Sequence, residues 1–95
     1  MDTTLNQVVA ELARATAKFP TWPTDPLHAL AVVGEEYGEL QKAVLQHVYE
    51  PGKAVSRQDI REEAIQTAAM ALRFAVSLSI YEYAPGQQHQ QPTYL

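Results

Sequence analysis

The chain has 95 residues, 46% of them hydrophobic, and its seven Lys and Arg stand against eleven Asp and Glu for a net charge of −4. That composition suits one small domain with a thin core. The lack of cysteine excludes disulfide staples, zinc–thiolate sites and thiol nucleophiles, and the scattered basic residues provide no clustered face for a nucleic-acid duplex.

The N-terminus, "MDTTLNQVVAELAR", has no basic region followed by an apolar run, so no secretory leader is expected. The apolar stretch 64–80 is interrupted by Gln66 and Arg73 and does not read as a membrane span. A soluble, cytoplasmic protein is the expectation.

In chain order, Leu5, Val8, Val9, Leu12, Thr16 and Phe19 recur at three- and four-residue spacing and predict a first amphipathic helix, capped by Asp2, Thr3 or Thr4. The prolines of "FPTWPTDP" end it. Asp25 as N-cap and Pro26 in the first turn predict the start of a second helix, running to about Glu50. Its apolar stripe is Leu30, Val33, Tyr37, Leu40, Val44 and Val48, with Tyr37 expected in the core. Gly34 and Gly38 lie on a separate flank and are expected to admit a closely crossing helix. Ser56 and Asp59 form a capping-box-like start to a third helix, from about Arg57 to Ile80 or a little beyond.

From Ala64 the third helix is apolar nearly all round, and two other helices of so short a chain cover it poorly. A second subunit is expected there, making a homodimer or homotetramer. The fold class is all-α: one helical-hairpin domain over 1–82, completed by oligomerisation. A Gln- and Pro-rich tail over 83–95 is expected to be mobile unless Tyr94 and Leu95 dock on a partner.

Two acidic groups break the apolar pattern. Glu36 and Glu39 share one side of the second helix and flank its apolar stripe; Glu63 and Gln66 have the same spacing on the third. Measured from the hairpin turn, the offsets of Glu39 and Glu63 differ by roughly 6 Å at 1.5 Å per residue. Antiparallel packing would therefore bring Glu36 near Gln66 and Glu39 near Glu63. Half-buried carboxylates so placed repel one another unless a cation joins them. Oxygen-only donors suit Mg²⁺ or Mn²⁺ rather than zinc, and magnesium usually arrives with substrate phosphates.

"EEYGEL" followed by "EAIQ" resembles the E-x-x-E…E-x-x-D signature of the MazG-like, all-α nucleoside triphosphate pyrophosphohydrolases. The likeness spans roughly residues 20 to 76, and "WPTDPLHALAVVGEEYGEL" with "REEAIQTAAMALRF" is especially similar to the short phage and bacterial members. The resemblance implies that Glu36, Glu39 and Glu63 hold Mg²⁺. It also implies that an activated water attacks a (d)NTP between its α- and β-phosphates, releasing a monophosphate and pyrophosphate. Gln66 departs from the usual Asp; its amide oxygen can ligate but adds no charge. Glu35 and Glu62 precede the two pairs and are candidates to assist a ligand or orient the water.

Other candidates each carry a structural alternative. Lys42 is either a phosphate contact or a surface partner of Glu39. Arg73, set among apolar residues, needs an anion: a phosphate, or a carboxylate across a subunit interface. Arg61 and Lys53 are placed to close over phosphates from the hairpin end. Trp22, the sole tryptophan, either stacks on a base or plugs the end of the bundle. His28 shares the acidic side of the second helix, as a substrate contact or a plain polar-face residue. The expected activity is a Mg²⁺-dependent (d)NTP pyrophosphohydrolase, with no P-loop and no nucleic-acid or membrane partner. The rival is a non-catalytic helical interaction module whose metal site is vestigial.

Overall fold

The structure, a computed structural model, describes residues 1–83. Three helices dominate it: α1 (Asp2–Lys18), α2 (Pro26–Tyr49) and α3 (Arg57–Val76). No strand occurs among the described residues, so the all-α class is as expected. No helix among them is long and apolar enough to cross a membrane. Of the tail expected over 83–95, residues 84–95, with Tyr94 and Leu95, lie outside the described residues.

Helix starts follow local chemistry. The Asp25 carboxylate accepts from the Leu27 amide at 3.0 Å, and Pro26 occupies the first turn. At α3 the capping box is complete: the Asp59 amide donates to Ser56 Oγ at 3.0 Å, and the Ser56 amide donates to the Asp59 carboxylate at 2.8 Å. By contrast, α1 begins after Met1 without a side-chain cap. The helix expected to reach Ile80 stops at Val76 and tightens into a 3₁₀ turn, Leu78–Ile80. That turn redirects the chain so that Tyr81 folds back into the core.

Between α2 and α3 runs a 3₁₀ turn, Pro51–Lys53, followed by Ala54 in left-handed conformation (φ 55°). The imidazole Nδ1 of His47 lies 2.6 Å from the Val55 carbonyl oxygen and ties the last turn of α2 to this connection.

Of the three helices, α3 is central. It packs against both α2 and α1, while among the described residues α1 and α2 do not pack on each other. Among the described residues the buried apolar ones are Ala15, Ala29, Ala43, Ala69, Met70 and Tyr81, and no large side chain is fully shielded. Small residues at these positions let the axes approach closely.

The orientation of α2 differs from expectation. Its inward line is buried Ala29, half-buried Glu36 and buried Ala43, seven residues apart and facing α3, with Val33 and Leu40 half-buried beside it. Leu30, Val44 and Val48 of the expected stripe are exposed, and Tyr37 is 53% exposed rather than core. Gly34 and Gly38 do not admit a helix of this chain either: nothing lies within 4 Å of a Cβ built at either position. The α2–α3 contact is set by how little volume the facing residues occupy, which a hydrophobic stripe does not report. Leu5, Val9 and Phe19 of α1 are likewise exposed.

Candidate functional site

Because α1 and α2 stand apart on either side of α3, they leave a cleft between them. Its volume is about 310 Å³, at the small end of the range for small-molecule sites, about 300–1,000 Å³. Glu11, Arg14 and Ala15 of α1 form one wall, Val32 and Glu36 of α2 the other, and Gln66, Met70 and Arg73 of α3 the floor. Phe19, Thr21 and Trp22 from the proline-rich connection close one end.

That closed end is built by Arg73. Only 6% exposed, its guanidinium donates to the carbonyl oxygens of Phe19 (2.8 Å) and Thr21 (3.4 Å) and lies 4.7 Å from the centre of the Trp22 ring. Neither a phosphate nor a partner's carboxylate is needed to explain its burial, as the sequence had implied; backbone carbonyls and a π face satisfy it. Trp22 is thus more than an end plug. Its Nε1 donates to the Tyr81 hydroxyl at 2.9 Å, and that hydroxyl donates onward to the Phe74 carbonyl at 3.1 Å. The Glu82 amide also donates to the Thr24 carbonyl at 2.8 Å. One face of the indole is therefore covered by Arg73, while the residue still lines the cleft.

Further along α2 and α3, toward the hairpin turn, is a groove of about 250 Å³ lined by Glu39, Lys42, Ala43, Gln46, Val55, Asp59 and Glu63. Glu36 and Gln66 thus border one hollow, and Glu39 and Glu63 the next. The acids feel one another. Burial pushes the Glu36 carboxyl above its ordinary range, reinforced by Glu63, Glu39, Glu11 and Glu35. Burial also raises Glu63, with Glu39, Glu62 and Asp59 adding to the effect. As the side chains stand, no group of three or more acids or histidines among the described residues converges tightly enough to cage an ion. Carboxylate and amide oxygens that repel one another at the edge of a core nevertheless match a hard divalent cation in donor type, and a cation would relieve the repulsion.

Two α1 residues of the site were not foreseen. Arg14 Nε donates to Glu11 Oε1 at 3.0 Å and its Nη2 pairs with Oε2. This hydrogen-bonded partner holds the Glu11 carboxyl below its usual range. In sequence the two are an ordinary i,i+3 surface pair; only the packing of α1 on α3 turns them toward Glu36.

Other candidates are dispersed. Arg61 does not reach over the acids; its guanidinium donates to Thr4 Oγ1 (3.0 Å) and Gln7 Oε1 (2.7 Å) on α1. It does line a third hollow of about 420 Å³ together with Glu11, Arg14, Glu62 and Gln66. Lys53 is exposed in the hairpin turn, and His28 and Glu35 are exposed on α2. Lys42 stands beside Glu39 in the acidic groove without an ion pair; the ion pair found among the described residues is Glu11–Arg14.

Comparison with protein-family models, with curated proteins and with solved structures gives no match.

Proposed function

We propose that this chain is a Mg²⁺-dependent nucleoside triphosphate pyrophosphohydrolase of the MazG-like type. The observation that carries the reading is the position of Glu36. It is a half-buried carboxyl with raised affinity for its proton, lining an aromatic-ended apolar cleft about one helical turn from the groove that Glu39 and Glu63 line. An apolar cleft ending at Trp22 offers a nucleobase apolar contact. Glu36, Glu39, Glu63 and Gln66 would hold the cation beside it.

When bound, such a cation supplies neutralising charge at the phosphates and an acidified water. The chain's own contribution is placement. Glu36 and Glu39 orient the donor set from α2, Glu63 and Gln66 from α3, and Lys42 and Arg14 offer positive charge at the two edges. Glu35, exposed next to Glu36, is the residue available to orient the attacking water.

The test is release of monophosphate and pyrophosphate from the eight common (d)NTPs with Mg²⁺ or Mn²⁺, beside Glu39→Gln. The expected result is turnover of at least one nucleotide that is lost in the variant. A folded protein with no turnover, whose melting temperature is also indifferent to Mg²⁺ plus nucleotide, would favour the non-catalytic module instead. Gln66 in the usual Asp position is what speaks for that alternative.

A further inference from the structure

The two backbone carbonyls that account for the burial of Arg73 both accept from one nitrogen, Nη2. The other N–H groups of the guanidinium belong to Nε and Nη1, and neither nitrogen has a hydrogen-bond partner among the described residues. They are not sealed in, since no side-chain nitrogen or oxygen there is buried without a partner. The hollow that Arg73 borders is the cleft. No carboxylate offsets its charge at ion-pair distance; the ion pair among the described residues is Glu11–Arg14. The floor of an aromatic-ended cleft thus holds a cation, 6% exposed, with donors to spare. Spare donors on a nearly buried cation call for an acceptor from outside the chain.

Position along α3 says which part of a ligand supplies that acceptor. Gln66 is seven residues before Arg73, roughly 10 Å along the axis. Phosphates held with a cation by Glu36, Glu39, Glu63 and Gln66 leave the base at the Arg73 end, beside Trp22. We propose, on the pyrophosphohydrolase reading, that Arg73 reads the base. The cleft takes keto nucleobases (guanine, hypoxanthine, thymine, uracil) and rejects the amino ones, adenine and cytosine.

The far edge of a keto base is a lactam, a carbonyl oxygen beside a ring N–H. Arg73 donates to that oxygen from Nε or Nη1. Thr21 lines the same end of the cleft, and its carbonyl keeps a lone pair beyond the 3.4 Å bond from Nη2; it accepts the ring N–H. Adenine and cytosine reverse both groups. Their amino group would meet the guanidinium hydrogens, and their ring nitrogen would meet the Thr21 oxygen. Such a mismatch leaves buried groups unpaired, which polar sites reject more strongly than a change of apolar shape. Trp22 alone cannot make the distinction, because every base offers it a π face.

Two isosteric pairs isolate the exchange of oxygen for an amino group: hypoxanthine against adenine, and uracil against cytosine. The sole tryptophan reports on the base without turnover. In titrations with deoxyinosine, deoxyadenosine, deoxyuridine and deoxycytidine, quenching of Trp22 emission should saturate at an at least about tenfold lower concentration for the keto member of each pair. With Mg²⁺, turnover should favour dITP over dATP and dUTP over dCTP. Arg73→Met, checked for folding by circular dichroism, should bring the members of each pair together. A nucleoside preference without turnover of any triphosphate supports the base site and removes the hydrolase reading. Turnover that does not distinguish either pair keeps the hydrolase and overturns the base site. No quenching by any nucleoside, equal quenching within the pairs, or a preference that survives in folded Arg73→Met also overturns it. If Arg73→Met does not fold, the wild-type titrations decide alone.

Discussion

On the proposed pyrophosphohydrolase reading, Glu36→Gln should remove turnover and make the metal-free chain harder to melt. The loss should be on the order of 10²–10³-fold, as when one preorganised electrostatic group is deleted from a catalytic site. Stability moves the other way because Glu36 lies on the α3-facing line of α2, between Ala29 and Ala43. Its ionised form is opposed by burial and by its acidic neighbours.

The pH dependence has the matching sign. Glu36 and Glu63 both bind protons more tightly folded than unfolded. The stability they contribute is complete below the ordinary carboxyl value of 4.5 and is lost as pH rises through their raised folded values. Glu11 and Asp59 act oppositely: the hydrogen bond from Arg14 lowers the first and the Ser56 amide lowers the second. Their stabilisation is present above the unfolded values and is lost as pH falls. Without metal, the melting temperature should therefore peak on the mildly acidic side and decline toward neutral pH. Glu36→Gln should flatten that decline, and so should Mg²⁺. A scan showing the same decline in wild type and variant would remove Glu36 as its source.

Arg73 carries the second large effect, on folding. Replacing it by Met keeps the volume but leaves the carbonyls of Phe19 and Thr21 without their charged donor and uncovers the Trp22 ring. Lost hydrogen bonds to a charged group, together with the cation–π contact, imply a destabilisation of about 2–4 kcal/mol. Arg73→Lys should recover only part, because a single ammonium cannot serve two carbonyls and a ring face in the geometry of the guanidinium. Urea melts followed by the fluorescence of the sole tryptophan check both variants. The Met variant should shift the midpoint and redden the native emission. An unchanged native spectrum would mean that the cleft end is held by the Trp22–Tyr81 hydrogen bond alone.

What was legible in the sequence, and what was not, divides by the range of the forces involved. The starts of α2 and α3 were readable because Asp25, Ser56 and Asp59 bond to backbone groups two or three residues away. The meeting of Glu36 with Gln66 and of Glu39 with Glu63 along two neighbouring hollows followed from helical pitch and the length of the hairpin. The rotation of α2 was not readable. Leu30, Tyr37, Val44 and Val48 are the more hydrophobic line, yet Ala29 and Ala43 face α3, because close approach selects for small volume. Arg73 was recognised as buried, but its carbonyl partners lie in a connection more than fifty residues away. Glu11 and Arg14 looked like solvated decoration until α1 was set against α3.

The separation of α1 from α2 has a further consequence for motion. With α3 as its sole helical neighbour among the described residues, α1 is held by one seam and by the connection that Arg73 pins, so it can open without breaking the α2–α3 hairpin. Such partial opening lies at a lower free energy than global unfolding. Amide exchange in α1 should then run ahead of exchange in the hairpin. A ligand seated between Arg14 and Glu36 would tie α1 to α2 across the cleft, and its binding would slow exchange in α1 more than in the hairpin.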